Sequence, residues 1–364
     1  MAINASRVSA GEALDVLRAA WAAQQSGGLR SSWMLHGRPG VGKTEIVQTL
    51  AEEFSAELFD LRLTTIEPQD LRGLPFYDHD AHKTVWYRPE DLPDGDRPAI
   101  LFLDELTAAA PTLQPTVYGV LQERRVGRHV LPDHVFIIAA GNMVEDGAVA
   151  YEMGTALSDR LVHMIVQANA DDWLKSFAPE AQVHPNVVAF LRARPDLLET
   201  TESALRRGDA IVCTPRAWTR VSQIMSLDVP KSVRQVMISG TVGEAAAAEF
   251  SLISNELEAT LKVDDMLETP RDKRADLYPA TLHGLTALIY ALPQAVEQNR
   301  LAAAIEILAD LRDVDLPGLP TSELATFGFE LLIARALKEG WQSVFAASDA
   351  YADYARSRAE AGVL

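Results

Sequence analysis

Only one of the 364 residues is a cysteine, Cys213. That excludes an internal disulfide, and such sparing use of cysteine fits a reducing, cytoplasmic compartment. Cys213 itself reads as a small, half-buried apolar residue rather than a reactive thiol. Long hydrophobic runs are also missing: the longest apolar stretches are strand-sized, too short to span a bilayer. The opening residues, MAINASRVSAGEALDVL, carry neither the basic stretch nor the apolar block of a secretory signal. Basic residues are in deficit, 33 Lys and Arg against 51 Asp and Glu, for a formal net charge of −18. Proteins that grip nucleic acid through its phosphates usually show a basic face, so this deficit weighs against such a partner, although a local basic channel stays open. No internal repeat, no low-complexity tract and no N-K-x-D-like element after a strand is found, and the last absence weighs against guanine specificity.

With 48% hydrophobic and 23% charged residues the chain has an ordinary globular balance, and its length suits two or three domains. Ser9 and Glu12 have capping-box spacing ahead of a helix-forming run to Ala23. Trp33 to His36 reads as a short buried strand. It runs directly into GRPGVGKT, Gly37 to Thr44, and EIVQTLAEEF follows with Ile46, Val47, Leu50 and Phe54 on one helical face. Strand, glycine loop and helix in this order match G-x-x-x-x-G-K-[ST], a loop whose backbone N–H groups surround a phosphate. Gly37, Arg38, Pro39, Gly40, Val41, Gly42, Lys43, Thr44 and Glu45 are thus candidate ATP-binding residues. Lys43 would reach the β- and γ-phosphates, and the Thr44 hydroxyl would ligate Mg²⁺.

Further strands are expected at Glu57–Leu63, after Pro98, at His134–Asn142 and at Leu161–Val166. A helix lies over Thr112–Gln122, and a hairpin and loop over Asp78–Asp96. Strands alternating with helices indicate a mostly parallel sheet covered on both faces. In ILFLDE, four apolar residues bury a strand and deliver Asp104 to its carboxyl end, where it would hold Mg²⁺ through water. Glu105 could be the general base that orients and deprotonates the attacking water. Asn142 ends the next strand. Its carboxamide could read the γ-phosphate, or Gly141-Asn142 could be ordinary turn chemistry.

In this order GRPGVGKT, ILFLDE, IIAAGN and LSDRL resemble the Walker A, Walker B, sensor 1 and arginine-finger elements of AAA+ ATPases. LTTIEPQDLRGLP, VWYRPEDLP and DELTAAAPTLQPTVYGVLQERRV resemble, more narrowly, the MoxR family, a group that includes Rubisco-activating and nitric-oxide-reductase-activating ATPases. The resemblance spans about Leu29 to Met225. It implies an α/β P-loop AAA+ core with a five-stranded parallel sheet, a helical lid and, in this chain, a helical C-terminal extension. By the same resemblance Arg160 matches the finger that reaches a neighbouring subunit's site, and Arg216, in TPRAWTR, the second sensor. Without the resemblance, Arg160 is a surface arginine paired with Asp159, and Arg216 an incidental arginine at a helix start set by Pro215. The resemblance further implies a homo-oligomeric, hexameric ring, a protein client and a partner with a von Willebrand factor A domain. The chain departs from the family at Leu161, where an aromatic residue usually follows the finger. It departs again in a short insert around ERRVGRHVLPDH, whose Arg124, Arg125 and Arg128 read as a solvated basic turn.

The expected organisation is an N-terminal helical segment (1–32), the nucleotide-binding domain (33–170), the lid (171–263) and the extension (264–364). Helices are expected at Asp171–Phe177, Pro185–Arg194, Pro215–Leu227 and, as one element, Ser232–Leu261. Asp264–Asp276 reads as a linker, and the helices beyond it are interrupted by a loop at 315–322. The function expected is ATP-driven remodelling or activation of a client, or cofactor insertion. The alternatives are a nucleotide-gated scaffold with little turnover and a DNA-associated motor.

Overall fold

A computed structural model describes residues 3–144, 158–314 and 316–360. Leu157 of the LSDRL motif, Asp315 of the 315–322 loop and residues 361–364 of the extension lie outside the described residues. The chain divides into two compact units. The first comprises Met1–Asp172, Thr201–Ala210 and Thr214–Arg216, and the second the remainder.

The apolar run of Ala99–Asp104 requires burial on both faces, and the first unit supplies it. In chain order its elements are β1 (Arg7–Val8), α1 (Ala10–Gln25), β2 (Ser32–His36), α2 (Lys43–Glu53), β3 (Glu57–Arg62), α3 (Pro68–Arg72), β4 (Pro75–Asp78), β5 (Lys83–Trp86), β6 (Ala99–Asp104), α4 (Gln114–Glu123), β7 (Arg125–Val126), β8 (His129–Val130), β9 (Phe136–Gly141) and β10 (Leu161–Val166). A six-stranded sheet runs in the order β1-β10-β2-β9-β6-β3, with every neighbouring pair parallel. Period-two alternation sorts β6 between two cores. Ile100 and Phe102 join Leu17, Trp21, Val47 and Leu50 on one face. Leu101 and Leu103 join Val117, Val120 and Ile137 on the other. Each fully buried Leu or Phe stabilises the fold by about 2 kcal/mol.

The sheet has six strands rather than the expected five. The additional strand, β1, is two residues long, too short to show periodicity, and it forms because Ser6 and Val8 carbonyls accept the N–H groups of Ile165 and Gln167. The capping box of α1 forms as expected, with Ser9 and Glu12 each accepting the other's backbone N–H at 3.1 and 2.7 Å. The hairpin expected within Asp78–Asp96 is β4–β5, which begins three residues earlier, at Pro75, and sets Asp78 opposite Lys83. The short insert of residues 123–134 is the hairpin β7–β8. Arg124 is no part of a solvated turn there: it is half-buried, in the left-handed region at φ 52°, and its guanidinium donates to the Val135 carbonyl.

In the second unit Trp218 is fully buried, with Phe190 at 5.1 Å and Phe250 at 5.9 Å between ring centroids. Cys213 is buried, its thiol 3.4 Å from the Val242 carbonyl. The single helix expected from Ser232 to Leu261 is two, Lys231–Val242 and Glu244–Thr260, because Gly243 takes φ 87° and breaks the hydrogen-bond ladder. Helix Leu282–Ala295 shares a core with helices Pro185–Ala193 and Glu244–Thr260 through Ala287, Ala189 and Leu257.

The stretch expected as a linker is packed. It contains helix Val263–Glu268 and two 3₁₀ turns, and Met266 and Leu267 are buried. Arg274 is only 5% exposed; its Nε donates to the carbonyls of Met266 and Thr269, and its Nη1 lies 2.8 Å from Glu306. Charge and Pro270 suggested a solvated tether, but the charge is internal wiring. Replacing Arg274 with Ala should strand two carbonyls and lower stability by about 2 kcal/mol. Urea melts of the full chain check this, and an unchanged midpoint would return the segment to linker status.

Candidate functional site

The phosphate loop starts where β2 ends. The Gly37 N–H donates to the Gly141 carbonyl at 3.2 Å, so the β2–β9 register carries into the loop. A Cβ on Gly37 would stand 2.4 Å from the Val166 carbonyl oxygen, so only glycine lets the loop leave so close to β10. Gly40 and Gly42 take φ 82° and 103°, in the left-handed region. Gly42 caps α2 without a side-chain acceptor, and the first N–H to close onto the helix is that of Ile46, onto Gly42, at 3.0 Å. The N–H groups of the first turn, including Thr44 and Glu45, therefore face the loop at the positive end of the helix dipole.

Lys43 is 9% exposed, and its ammonium is held by Gly37 O at 2.5 Å, Arg38 O at 3.0 Å and Asn142 Oδ1 at 3.2 Å. Asn142 thus stands in the loop's mouth, joined to the lysine rather than turned away in a simple surface turn. The Arg38 guanidinium reaches Glu202 at 3.6 Å. Arg216 begins helix Pro215–Met225; its N–H donates to the Gly40 carbonyl at 3.3 Å, and its side chain is exposed.

Asp104 ends β6, and its Oδ1 accepts the Glu105 N–H at 2.8 Å. Glu105 takes φ 60° and ψ 33°, a left-handed conformation that costs a non-glycine residue roughly 1–2 kcal/mol. Its carboxylate is held from outside: Thr64 donates its hydroxyl to Oε2, and Arg62 Nε lies 3.8 Å from Oε1. Asp60, on β3, has its carboxyl pushed up by burial and then by the nearby charge of Asp104. Oxygen donors only, the Thr44 hydroxyl in the first turn of α2 and the Asp104 carboxylate at the end of β6, suit Mg²⁺, which keeps several waters and needs few protein ligands.

Arg160 is not gathered with these groups. It is exposed and stands immediately before β10, at the amino edge of the sheet. Leu161 pairs with Ser32, and Ile165 with His36 at the foot of the loop. The strand rise between those two pairs is about 13 Å.

Thr64, Arg62 and a histidine pair were not legible as site residues. His36 Nε2 lies 2.9 Å from His163 Nδ1, and His163 Nε2 lies 2.9 Å from the Ser158 carbonyl and 3.2 Å from its hydroxyl. Burial holds His36 at a pKa of about 3, with His163 and then Lys43 adding to the effect. Thr64 and Arg62 could have been suspected had the β3–β6 pairing been readable, since it sets Arg62 opposite Asp104.

Residues 32–161 match the family model described as the AAA domain, dynein-related subfamily. Residues 32–161 are an AAA+ domain. A curated relative, protein CdcH of Halobacterium salinarum, is 32% identical over 120 residues, which cover 31% of this chain and 15% of that protein. The chain therefore spans about a seventh of that relative's length. Among solved structures, a Cytophaga hutchinsonii protein proposed to be an ATPase is 14% identical, with 85% of this chain and 79% of that one covered and a TM-score of 0.33. The Thermotoga maritima RuvB Holliday junction branch migration motor is 17% identical, with 78% and 80% covered and a TM-score of 0.37. The AAA+ domain is of the P-loop α/β type with its loop, acids and Asn142 at the carboxyl ends of the central strands. Among the described residues no helix is long and apolar enough to cross a membrane.

The buried histidine makes the AAA+ domain acid-sensitive. Folded His36 stays neutral down to about pH 3, while the unfolded chain takes up that proton below about pH 6.5. In that window the unfolded state binds more protons, so stability falls as pH falls, by about 2 kcal/mol at pH 5 from this residue. Urea melts at pH 7.5 and 5 should show a shallower loss for His36→Asn than for wild type, and equal losses would contradict the assignment.

Proposed function

We propose that the chain is a MoxR-like AAA+ ATPase that hydrolyses ATP in a ring of its own copies, a hexamer by resemblance. The observation that carries this reading is the position of Arg160 at the sheet edge opposite the phosphate loop. One copy holds the loop, the acids, Asn142 and Arg216 on the carboxyl side, so an arginine finger must come from a neighbour. Lys43 and the N–H groups of the loop bind the phosphates, Asn142 and Arg216 read the γ-phosphate, and Thr44 and Asp104 hold Mg²⁺. Bound Mg²⁺ would neutralise charge on the β- and γ-oxygens. Glu105 takes the proton of the attacking water, its carboxylate aimed by Thr64 and Arg62. Arg160 of the next copy stabilises charge on the transferring phosphoryl group.

Turnover drives remodelling or activation of a protein client, or insertion of a cofactor, with a von Willebrand factor A domain protein as partner and the cytoplasm as compartment. This part rests on the MoxR-like motifs. A nucleotide-gated scaffold has no use for a carboxylate held in a costly backbone conformation. A DNA-associated motor fits poorly with a net charge of −18.

Hydrolysis per chain should rise with protein concentration as rings form. Glu105→Gln and Arg160→Ala should each bind ATP yet lose at least about a hundredfold in turnover. Mixing the two inactive variants should restore activity at about a quarter of the sites, because a Glu105 from one copy meets an Arg160 from the other in randomly mixed rings. No recovery on mixing would place the finger elsewhere; wild type inactive at every concentration would favour the scaffold.

A further inference from the structure

His36 is the last residue of β2 and His163 the middle of β10, and their rings stack at 5.1 Å between centroids and 14° between planes. They share the sheet face that Met34 and Leu161 fill with apolar side chains. A neutral apolar pair would serve that layer at lower cost than two imidazoles, which need partners when buried. The partners present define one arrangement of protons. The Ser158 carbonyl can only accept, so His163 Nε2 carries the hydrogen. With Nε2 as the donor, Nδ1 of His163 is the acceptor, and His36 donates from Nε2. His36 Nδ1, left as an acceptor, is buried without a partner among the described residues. The chain of donors therefore runs one way, from His36 through His163 to the backbone of Ser158.

Its two ends matter. His36 adjoins Gly37, whose carbonyl holds the Lys43 ammonium. Ser158 lies two residues before Arg160. The hydrogen bonds thus span β10 from the foot of the phosphate loop to the turn that carries Arg160.

We infer that His36 and His163 are positioning residues that couple the phosphate loop to the Ser158–Arg160 turn, so that the finger presented to a neighbouring copy is set by this copy's own loop. The inference rests on reading Arg160 as the finger. A phosphate that draws Lys43 off the Gly37 carbonyl acts on the peptide next to His36, and the imidazole pair passes that change along β10. Neither histidine touches the nucleotide. Their effect is on the catalytic competence of the neighbour's site and leaves phosphate binding in their own site unchanged.

A double-mutant cycle between His163 and Arg160 in the full chain, read in assembled rings, tests this. His163→Leu should lower kcat about tenfold, the size of an ordinary coupling between sites, while the affinity for a fluorescent ADP analogue stays within about twofold. His163→Gln, whose amide oxygen can accept from His36 and whose NH₂ can donate to Ser158, should recover most of the loss. In the Arg160→Ala background His163→Leu should cost nothing further. Equal costs in both backgrounds, or a matching loss of nucleotide affinity, would overturn the coupling. If Arg160→Ala turns over like wild type, the finger reading itself has failed, and that is visible without any histidine variant. Should His163→Leu not fold, imidazole nitrogen spectra of wild type decide the matter. Both rings as Nε2–H tautomers, with His163 shifting on addition of ADP, support the chain; a His163 signal indifferent to ADP overturns it.

Discussion

A buried ammonium organises this molecule's chemistry. Lys43 sits nine-tenths out of solvent, and a charge so placed persists only if oxygens surround it. Two of its three acceptors are carbonyls of the loop that precedes it, and the third is the side chain that ends β9. Those bonds fix the curl of the loop, which fixes the left-handed glycines, which in turn lets α2 start with its N–H groups turned to the loop. They also draw β2 and β9 ends together, so the sheet register is part of the binding geometry. On the proposed reading, a bound phosphate would compete with these same oxygens for the lysine.

The acid side of the site stores strain. Glu105 is held in a left-handed conformation that its own side chain does nothing to favour, and Asp104, Thr64 and Arg62 supply the compensating contacts. Such outliers survive where the surroundings over-determine them, and they cluster where chemistry needs a group aimed in advance. Asp60 feels the same crowding of acids. A chain with a net charge of −18 already repels itself, so concentrating Asp60, Asp104 and Glu105 at one sheet edge asks for cations there, and Arg62 is one of them.

What could be read directly from the chain was local. GRPGVGKT, the apolar strand before Asp104 and the Ser9 capping box each carry their structural reason within a few residues, and five of the six strands followed from such runs. β1 escaped because two residues have no period, and the Gly243 break escaped because helix propensity on both sides concealed a single φ. Residues 264–276 misled because charge and proline usually mean solvent, whereas Arg274 is buried against carbonyls from its own segment. Thr64, Arg62 and His163 were invisible for a different reason: each acts through strand pairing, and which strands are neighbours is not written in either strand alone.

The parallel sheet also constrains any assembly that uses Arg160. All strands point one way, so the loop, the acids and Asn142 collect at one edge while the turn before β10 lies at the other, about 13 Å along the strand. A residue given from one edge to a site on the opposite edge makes a contact between unlike surfaces. A two-fold dimer pairs like with like and cannot satisfy that contact on its axis. Head-to-tail contacts close into a ring when the rotation per copy divides the circle and otherwise run on as a filament. On the proposed reading the ring is thus a consequence of strand direction, since no folding of a single copy can bring the arginine before β10 to the loop after β2 while both strands keep their register.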